Sequence, residues 1–177
     1  MFKFNKNNSE KERQKFFNDN MSLFNPPSAF NGYAIEDDSE ENLRNIFRVL
    51  CKSSVDLDKV DWEGKNAFVD SLEELNYVTG DFQQHYSLDE MVDGINVVAK
   101  KLNYDIKLTK DDVLQFDDET IKKARLDFYL TYHDLNICAE LLAKQGYELF
   151  QVFIDVGGYY MSLLPKDEIE ILKQYTE

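Results

Sequence analysis

The stretch GYELFQVFIDVGGYYMSLLP, Gly146 to Pro165, sets the strongest constraint on what this chain can fold into. Two aromatic-rich apolar runs flank Asp-Val-Gly-Gly, the pattern of two antiparallel strands joined by a tight turn. A strand pair that buries one face alternates apolar and polar residues. This one scarcely does. Phe150, Val152 and Ile154 line one face of the first strand, and Leu149 and Phe153, interrupted by Gln151, line the other. The second strand sets Tyr159, Met161 and Leu163 against Tyr160, Ser162 and Leu164. Both faces need cover, and the chain's own helices are expected to supply it, with Gln151 and Ser162 marking the wetter positions.

Helices are signalled on both sides of that hairpin. Ser9-x-x-Glu12 is a capping box that opens a polar helix carrying Phe16, Phe17 and Leu23 to about Phe24. Asn-Pro-Pro at 25–27 then breaks the chain, so residues 1–31 are read as an arm and 32–177 as one α+β domain. Ser39 caps a helix to about Lys52 with Leu43, Ile46, Phe47 and Leu50 inward. A second helix is expected over Asp61–Tyr77, and Ser87-Leu-Asp-Glu90 opens a third that runs to about Leu102. Tyr104–Leu108 and Leu126–Tyr132 alternate like strands, Thr109-Lys-Asp-Asp112 starts a short helical turn, and Asp134 caps a helix that ends before Gly146. A last helix follows Pro165. The expected architecture is α+β: several helices on a small, mainly antiparallel sheet of three or four strands, ending helix–hairpin–helix.

At 177 residues the chain is long enough to bury a real core, and 24 aromatic residues help to fill it. The N-terminus lacks the apolar stretch of a secretory signal, and no run reaches the roughly 18 apolar residues of a membrane span. Cys51 and Cys138 each sit in an apolar helical pattern and read as buried free thiols. A cytoplasmic protein that does not bind membranes is expected.

Catalytic and metal patterns fail one by one. The two histidines, His85 and His133, show no zinc spacing, and no Cys-x-x-Cys is present. There is no nucleophile elbow, no phosphate-cradling glycine loop and no dinucleotide fingerprint. The segment from Asp56 begins like a calcium loop but places Asp61 and Ala67 where Gly and Glu are required. Glu63-Gly-Lys65 echoes a magnesium-nuclease pattern too short to weigh, in a stretch that would repel a polyanion. No cofactor, metal or catalytic residue is assigned, and the chain is read as something other than an enzyme.

Charge gives the functional expectation. The formal net charge is −14. From Val55 to Gly94 eleven acids face two lysines, a local balance of −9, and Glu36–Glu41 adds another −5. Such a surface repels phosphate backbones, so direct nucleic-acid binding is disfavoured, and it attracts basic proteins. Carboxylates interleaved with aromatics suit a contact with a basic protein, because charge steers the encounter and aromatics anchor it. The expected contact residues are Asp56, Asp58, Asp61, Trp62, Glu63, Asp81, Tyr86, Asp89, Glu90 and Asp93.

The size, acidity and α+β pattern resemble the immunity proteins of bacterial toxin–immunity systems, which neutralise a cognate toxin. The opening MFKFNKNN and the segment AELLAKQGYELFQVFIDVGGYYMSLLPKDEIEIL, Ala139 to Leu172, are similar to uncharacterised bacterial families that end helix–hairpin–helix. The resemblance implies a binding protein directed at a basic partner such as a toxin domain. Two other readings stand beside it: an acidic regulator or nucleic-acid mimic acting on a DNA-binding protein, and an enzyme with an unrecognised carboxylate or tyrosine site.

Overall fold

The computed structural model describes residues 9–24, 26, 28–52, 56–80, 87–153 and 159–176. Within them, helices α1 (Ser9–Asp19) and α2 (Met21–Phe24) precede strand β1 (Asn31–Ala34) and helix α3 (Glu40–Cys51). A 3-10 turn at Leu57–Lys59 leads to α4 (Lys65–Glu74), α5 (Leu88–Lys101), α6 (Lys110–Leu114), α7 (Glu119–Ala124) and α8 (Thr131–Lys144). Strands β2 (Tyr147–Phe153) and β3 (Tyr159–Pro165) and helix α9 (Ile169–Leu172) complete the order. The class is α+β, as the alternation of helical and strand patterns implied.

Several helices begin where their caps place them. Ser39 accepts from the Asn42 amide at 3.4 Å and opens α3, whose buried side is Leu43, Ile46, Phe47, Leu50 and Cys51. At its end Lys52 adopts a left-handed φ of 46° and its N–H returns to Arg48 O, closing the last turn. Ser87 and Glu90 form a reciprocal capping box on α5, and Thr109 and Asp112 form one on α6. Gly146, at φ 89°, ends the turn after α8.

The three strands lie in the order β1-β2-β3. β2 and β3 are antiparallel, with Phe150 opposite Ser162 and Gln151 opposite Met161. β1 runs parallel to β2, with Tyr33 opposite Val152, so the sheet is mixed where the sequence led us to expect a mainly antiparallel one. Asn31 Nδ2 and Tyr33 OH both donate to Glu148 Oε1 at 2.8 Å and fix that parallel register. The connection 154–158 lies outside the described residues.

The cover question raised by the hairpin has a direct answer. Leu149, Met161 and Leu163 face a core built with α5 and α8, which includes Met91, Ile95, Leu135 and Cys138. Phe150, Val152 and Leu164 face a second core built with α3, α4 and α9, which includes Phe47, Phe68, Leu72 and Cys51. Helices cover both faces. Gln151 and Ser162 are buried as well, and Ser162 Oγ donates to Tyr77 O at 2.8 Å. The cysteines are free and buried, in cores on opposite sides of the sheet. Burial pushes both thiols up, that of Cys138 to about 12.

Four local expectations are corrected. Leu126–Tyr132 is not a strand: Phe128 N–H bonds back to Ala124 O at 3.0 Å and Asp134 N–H to Leu130 O at 2.9 Å, so its backbone belongs to the turn between α7 and α8. Tyr104–Leu108 is not a strand either. There the Asn96 side chain accepts from Leu108 N–H at 2.9 Å and donates to Leu108 O at 2.8 Å, supplying from α5 the two bonds a neighbouring strand would give. Helix α8 starts at Thr131, which makes Asp134 a buried first-turn residue instead of a cap. Helix α4 starts at Lys65, because Asp61–Gly64 forms a turn in which Glu63 N–H donates to Asp61 Oδ1 at 2.8 Å.

Candidate partner-binding surface

The fold brings two acidic runs together. The loop before α3 is pinned at Asp37: Ser39 N–H donates to its carboxylate Oδ1 at 2.9 Å, and Asn42 Nδ2 donates to its backbone O at 2.8 Å. Those Ser39 bonds hold the Asp37 carboxyl below its usual range. The Asp61–Gly64 turn is pinned by Asp61 N–H on Ser71 Oγ at 3.0 Å. Gly64 sits at φ +103°, and a Cβ built there would lie 3.9 Å from Asp38 Oδ2. The two loops are therefore neighbours. Asp37, Asp38, Glu40 and Glu41 from the first run and Asp61 and Glu63 from the second are all exposed.

Trp62 lies at the meeting point. Its ring stacks on Phe68 at 5.8 Å and meets Phe47 edge-on at 5.7 Å, so one part of the indole is rooted in the core. The Arg44 guanidinium sits 4.3 Å from its centroid and reaches Glu40 at 2.7 Å. The half-buried indole is thus held by Phe47, Phe68 and the Arg44 cation, with the exposed acids Asp61 and Glu63 as its chain neighbours. That is a stiff aromatic among acidic neighbours, its ring already stacked by Phe68 and met by Arg44.

The other predicted contact residues do not share this surface. Asp56 is turned inward, only 3% exposed, and accepts from Lys59 Nζ at 2.7 Å, Lys101 Nζ at 2.6 Å and Tyr77 OH at 2.9 Å. Asp58 is exposed on the 3-10 turn. Asp89, Glu90 and Asp93 are exposed on α5. Glu90 is held in the capping box by Ser87 N–H at 2.9 Å and Ser87 Oγ at 2.6 Å, bonds that lower its carboxyl pKa, and Asp89 pairs with Lys110 at 2.6 Å. Lys101, the partner of Asp56, lies twelve residues further along α5, about 18 Å at the helical rise. The acidic segment is thus split between the two ends of one helix. Asp81 and Tyr86 lie outside the described residues. Of the predicted set, Asp61, Trp62 and Glu63 share one turn, and the neighbouring run of Asp37, Asp38, Glu40 and Glu41 approaches it through Asp38 and Glu40. The Glu36–Glu41 run was visible as charge; its adjacency to Trp62 was not.

A second polar constellation lies beneath the α7–α8 turn. Arg125 grips Asp117 at 2.5 and 3.0 Å and Asp134 at 2.8 and 2.5 Å, with both carboxylates buried. Burial raises the Asp134 carboxyl, and the Arg125 guanidinium opposes that. His133 Nε2 is buried with no hydrogen-bond partner, 3.9 Å from Asp117 Oδ1, and burial lowers the ring's pKa. An open pocket of about 390 Å³ borders Arg125 and Asp134 and is walled by Leu88, Leu114, Phe128 and Leu130. Arg125 and its two carboxylates saturate one another, the arrangement of a structural tie. Among the described residues no group of three or more His, Cys, Asp or Glu could hold a metal ion, and no helix is long and apolar enough to cross a membrane. No family model, curated protein or solved structure matches this chain.

Proposed function

We propose that this chain is a binding protein that neutralises a basic protein partner through the acidic surface centred on Trp62, as an immunity protein does for its cognate toxin. The observation that carries this reading is the adjacency of the Asp37–Glu41 run and the Asp61–Gly64 turn, linked by Arg44 between Glu40 and Trp62, which gathers six exposed carboxylates on two neighbouring segments beside one anchored indole. Charges held within a Debye length, about 8 Å at physiological salt, act on an incoming partner as one field. Such a field speeds association, while the rigid aromatic supplies a desolvated centre for the contact. The mechanism is occlusion of a basic active surface, with no chemical step and no cofactor. We place the protein in the cytoplasm, bound directly neither to nucleic acid nor to membranes. The similarity to uncharacterised bacterial families belongs with this reading and takes the C-terminal end as a helix–hairpin–helix unit.

The test compares the tagged protein with its triple charge reversal, Asp38→Lys, Asp61→Lys and Glu63→Lys, each used to capture partners from the source cells at low salt and at about 0.5 M salt, where screening is strong. A single basic protein held by the native chain, released by salt and absent from the variant supports the proposal, and loss of that protein's activity on binding completes it. Retention by the triple variant overturns it. Capture of several DNA-binding proteins, each displaced by added DNA, replaces it with nucleic-acid mimicry.

A further inference from the structure

The contact between the N-terminal arm and the body is an apolar unit of its own. Phe16, Leu23 and Phe24 pack with Ile121, Ala124, Phe128 and Leu130, and none of these residues belongs to either core that sandwiches the sheet. Phe128 is the hub. The rings of Phe24, Phe16 and Phe17 lie 5.1, 6.1 and 6.5 Å from it, and the Arg13 guanidinium lies 5.2 Å over its face while donating to Asp127 O at 3.0 Å. From the body side, Lys123 Nζ reaches over the Phe16 ring at 5.4 Å.

The spacing of these anchors is informative. Arg13, Phe16 and Phe17 stand at i, i+3 and i+4, so they share one face of α1. The receiving groove is built by α7, the turn at 125–130 and the start of α8. This is a helix laid in an apolar groove through side-chain anchors. The tie that fixes the chain to the body comes later, where Ala29 N–H donates to Asn136 Oδ1 at 2.8 Å and Phe30 enters the core. Between arm and tie stand only residues 25–28, Asn-Pro-Pro-Ser. The arm can leave without opening either main core. Leu126 at 74% exposure and Tyr129 at 54% are exposed on the same turn, so the apolar footprint extends past what residues 9–24 fill.

We infer that this groove is a helix-docking site plugged by the chain's own arm, and that its external occupant is a partner's amphipathic helix carrying a basic residue followed three and four positions later by aromatic residues. The occupant's chemistry is read from Arg13, Phe16 and Phe17. A separate partner is favoured over a second copy because two chains of net charge −14 repel, whereas a basic helix is drawn in. The site is distinct from the Trp62 surface and does not rest on its assignment.

The probe is a fluorescent peptide of residues 9–24, titrated by anisotropy against the full chain and against its Phe16→Ser/Phe17→Ser variant. A tethered arm competes at an effective concentration of about a millimolar, so releasing it should tighten peptide binding at least ~10-fold. A peptide carrying Arg13→Glu and Phe16→Ser should bind neither protein. Equal binding by the native chain and the variant overturns the plug. Should the variant misfold, a protease site inserted between Pro27 and Ser28 of the native chain gives a second measurement. After cleavage, millimolar peptide should displace the arm while the near-ultraviolet circular dichroism of the body persists. An arm that resists displacement, or a body that collapses on losing it, overturns the inference. A native dimer that becomes monomeric in the Phe16→Ser/Phe17→Ser variant puts a second copy in the groove and overturns the partner assignment.

Discussion

Lys101 Nζ lies 2.6 Å from Asp56 Oδ2, joining the end of α5 to the turn that follows α3. The same carboxylate accepts from Lys59 and Tyr77, and these bonds, Lys101 first, then Lys59, then Tyr77, hold the Asp56 carboxyl well below its usual range. A depressed folded pKa means that the stabilisation is present above the unfolded value, about 3.9, and is lost as pH falls toward the folded one. Asp56→Asn should therefore destabilise the chain at pH 7 by on the order of 2 kcal/mol in urea melts. The gap to the native chain should narrow once the pH drops below about 4. A gap that stays constant to pH 2.5 would assign the loss to shape instead of charge.

Arg125 presents the opposite problem, because it serves two buried carboxylates at once. Burial disfavours its charge, and the bonds to Asp134 and Asp117 outweigh that and raise its pKa. Arg125→Met leaves two desolvated acids facing each other and should lose about 3–5 kcal/mol. Adding Asp134→Asn to that variant removes one of the two charges and should recover part of the loss, read from the midpoints of denaturant curves. No recovery would mean that the carboxylates do not repel in the absence of the guanidinium.

What the sequence disclosed follows from the range of the interactions. Ser39, Ser87 and Thr109 marked helix starts because a cap and its partner amide lie within three residues. The doubly apolar hairpin announced cover on both faces, since alternation within a strand is also local. Leu126–Tyr132 misled because its alternation is real, with Phe128 and Leu130 directed inward, yet α7 and α8 claim its backbone bonds. Strand β1, only Asn-Gly-Tyr-Ala, carries too little pattern to be seen, and its place is set by Glu148 more than a hundred residues later. The acidic surface was half legible. Both charge runs could be counted, but their adjacency brings Asp38 near Gly64 across distant sequence, and the inward turn of Asp56 depends on Lys101.

Gly94 on α5 makes a further prediction about packing. A Cβ there would fall well inside contact distance of Thr79 Oγ1, and Thr79 is bridged to Met161 beside the sheet by bonds of 2.9 and 3.0 Å. The backbone of α5 thus approaches the sheet as closely as glycine allows. Gly94→Ala should destabilise by roughly 1–3 kcal/mol through overpacking, less the helix propensity that alanine returns. Combining it with Thr79→Ala removes the hydroxyl in the way and should restore most of the loss in thermal melts. A stable single variant would show that Thr79 turns aside freely.

The adjacency of the two acidic loops should also be visible in the free protein, before any partner is known. Asp37, Asp38, Glu40, Glu41, Asp61 and Glu63 are exposed on these two neighbouring segments, with Arg44 between Trp62 and Glu40. Like charges placed within a Debye length repel, and exposed pairs contribute a few tenths of a kcal/mol each. Asp38→Asn with Glu63→Gln should therefore raise the melting temperature by about 1–4 °C in low salt, and the gain should shrink as salt screens the native chain. The same double variant should bind a basic partner more weakly. Opposite signs on stability and binding are what a surface kept acidic for recognition requires, since a surface kept acidic only for solubility gives no reason for the charges to converge. If neutralising Asp38 and Glu63 lowers the melting temperature, the carboxylates hold the loops in place and the recognition role passes away from Trp62.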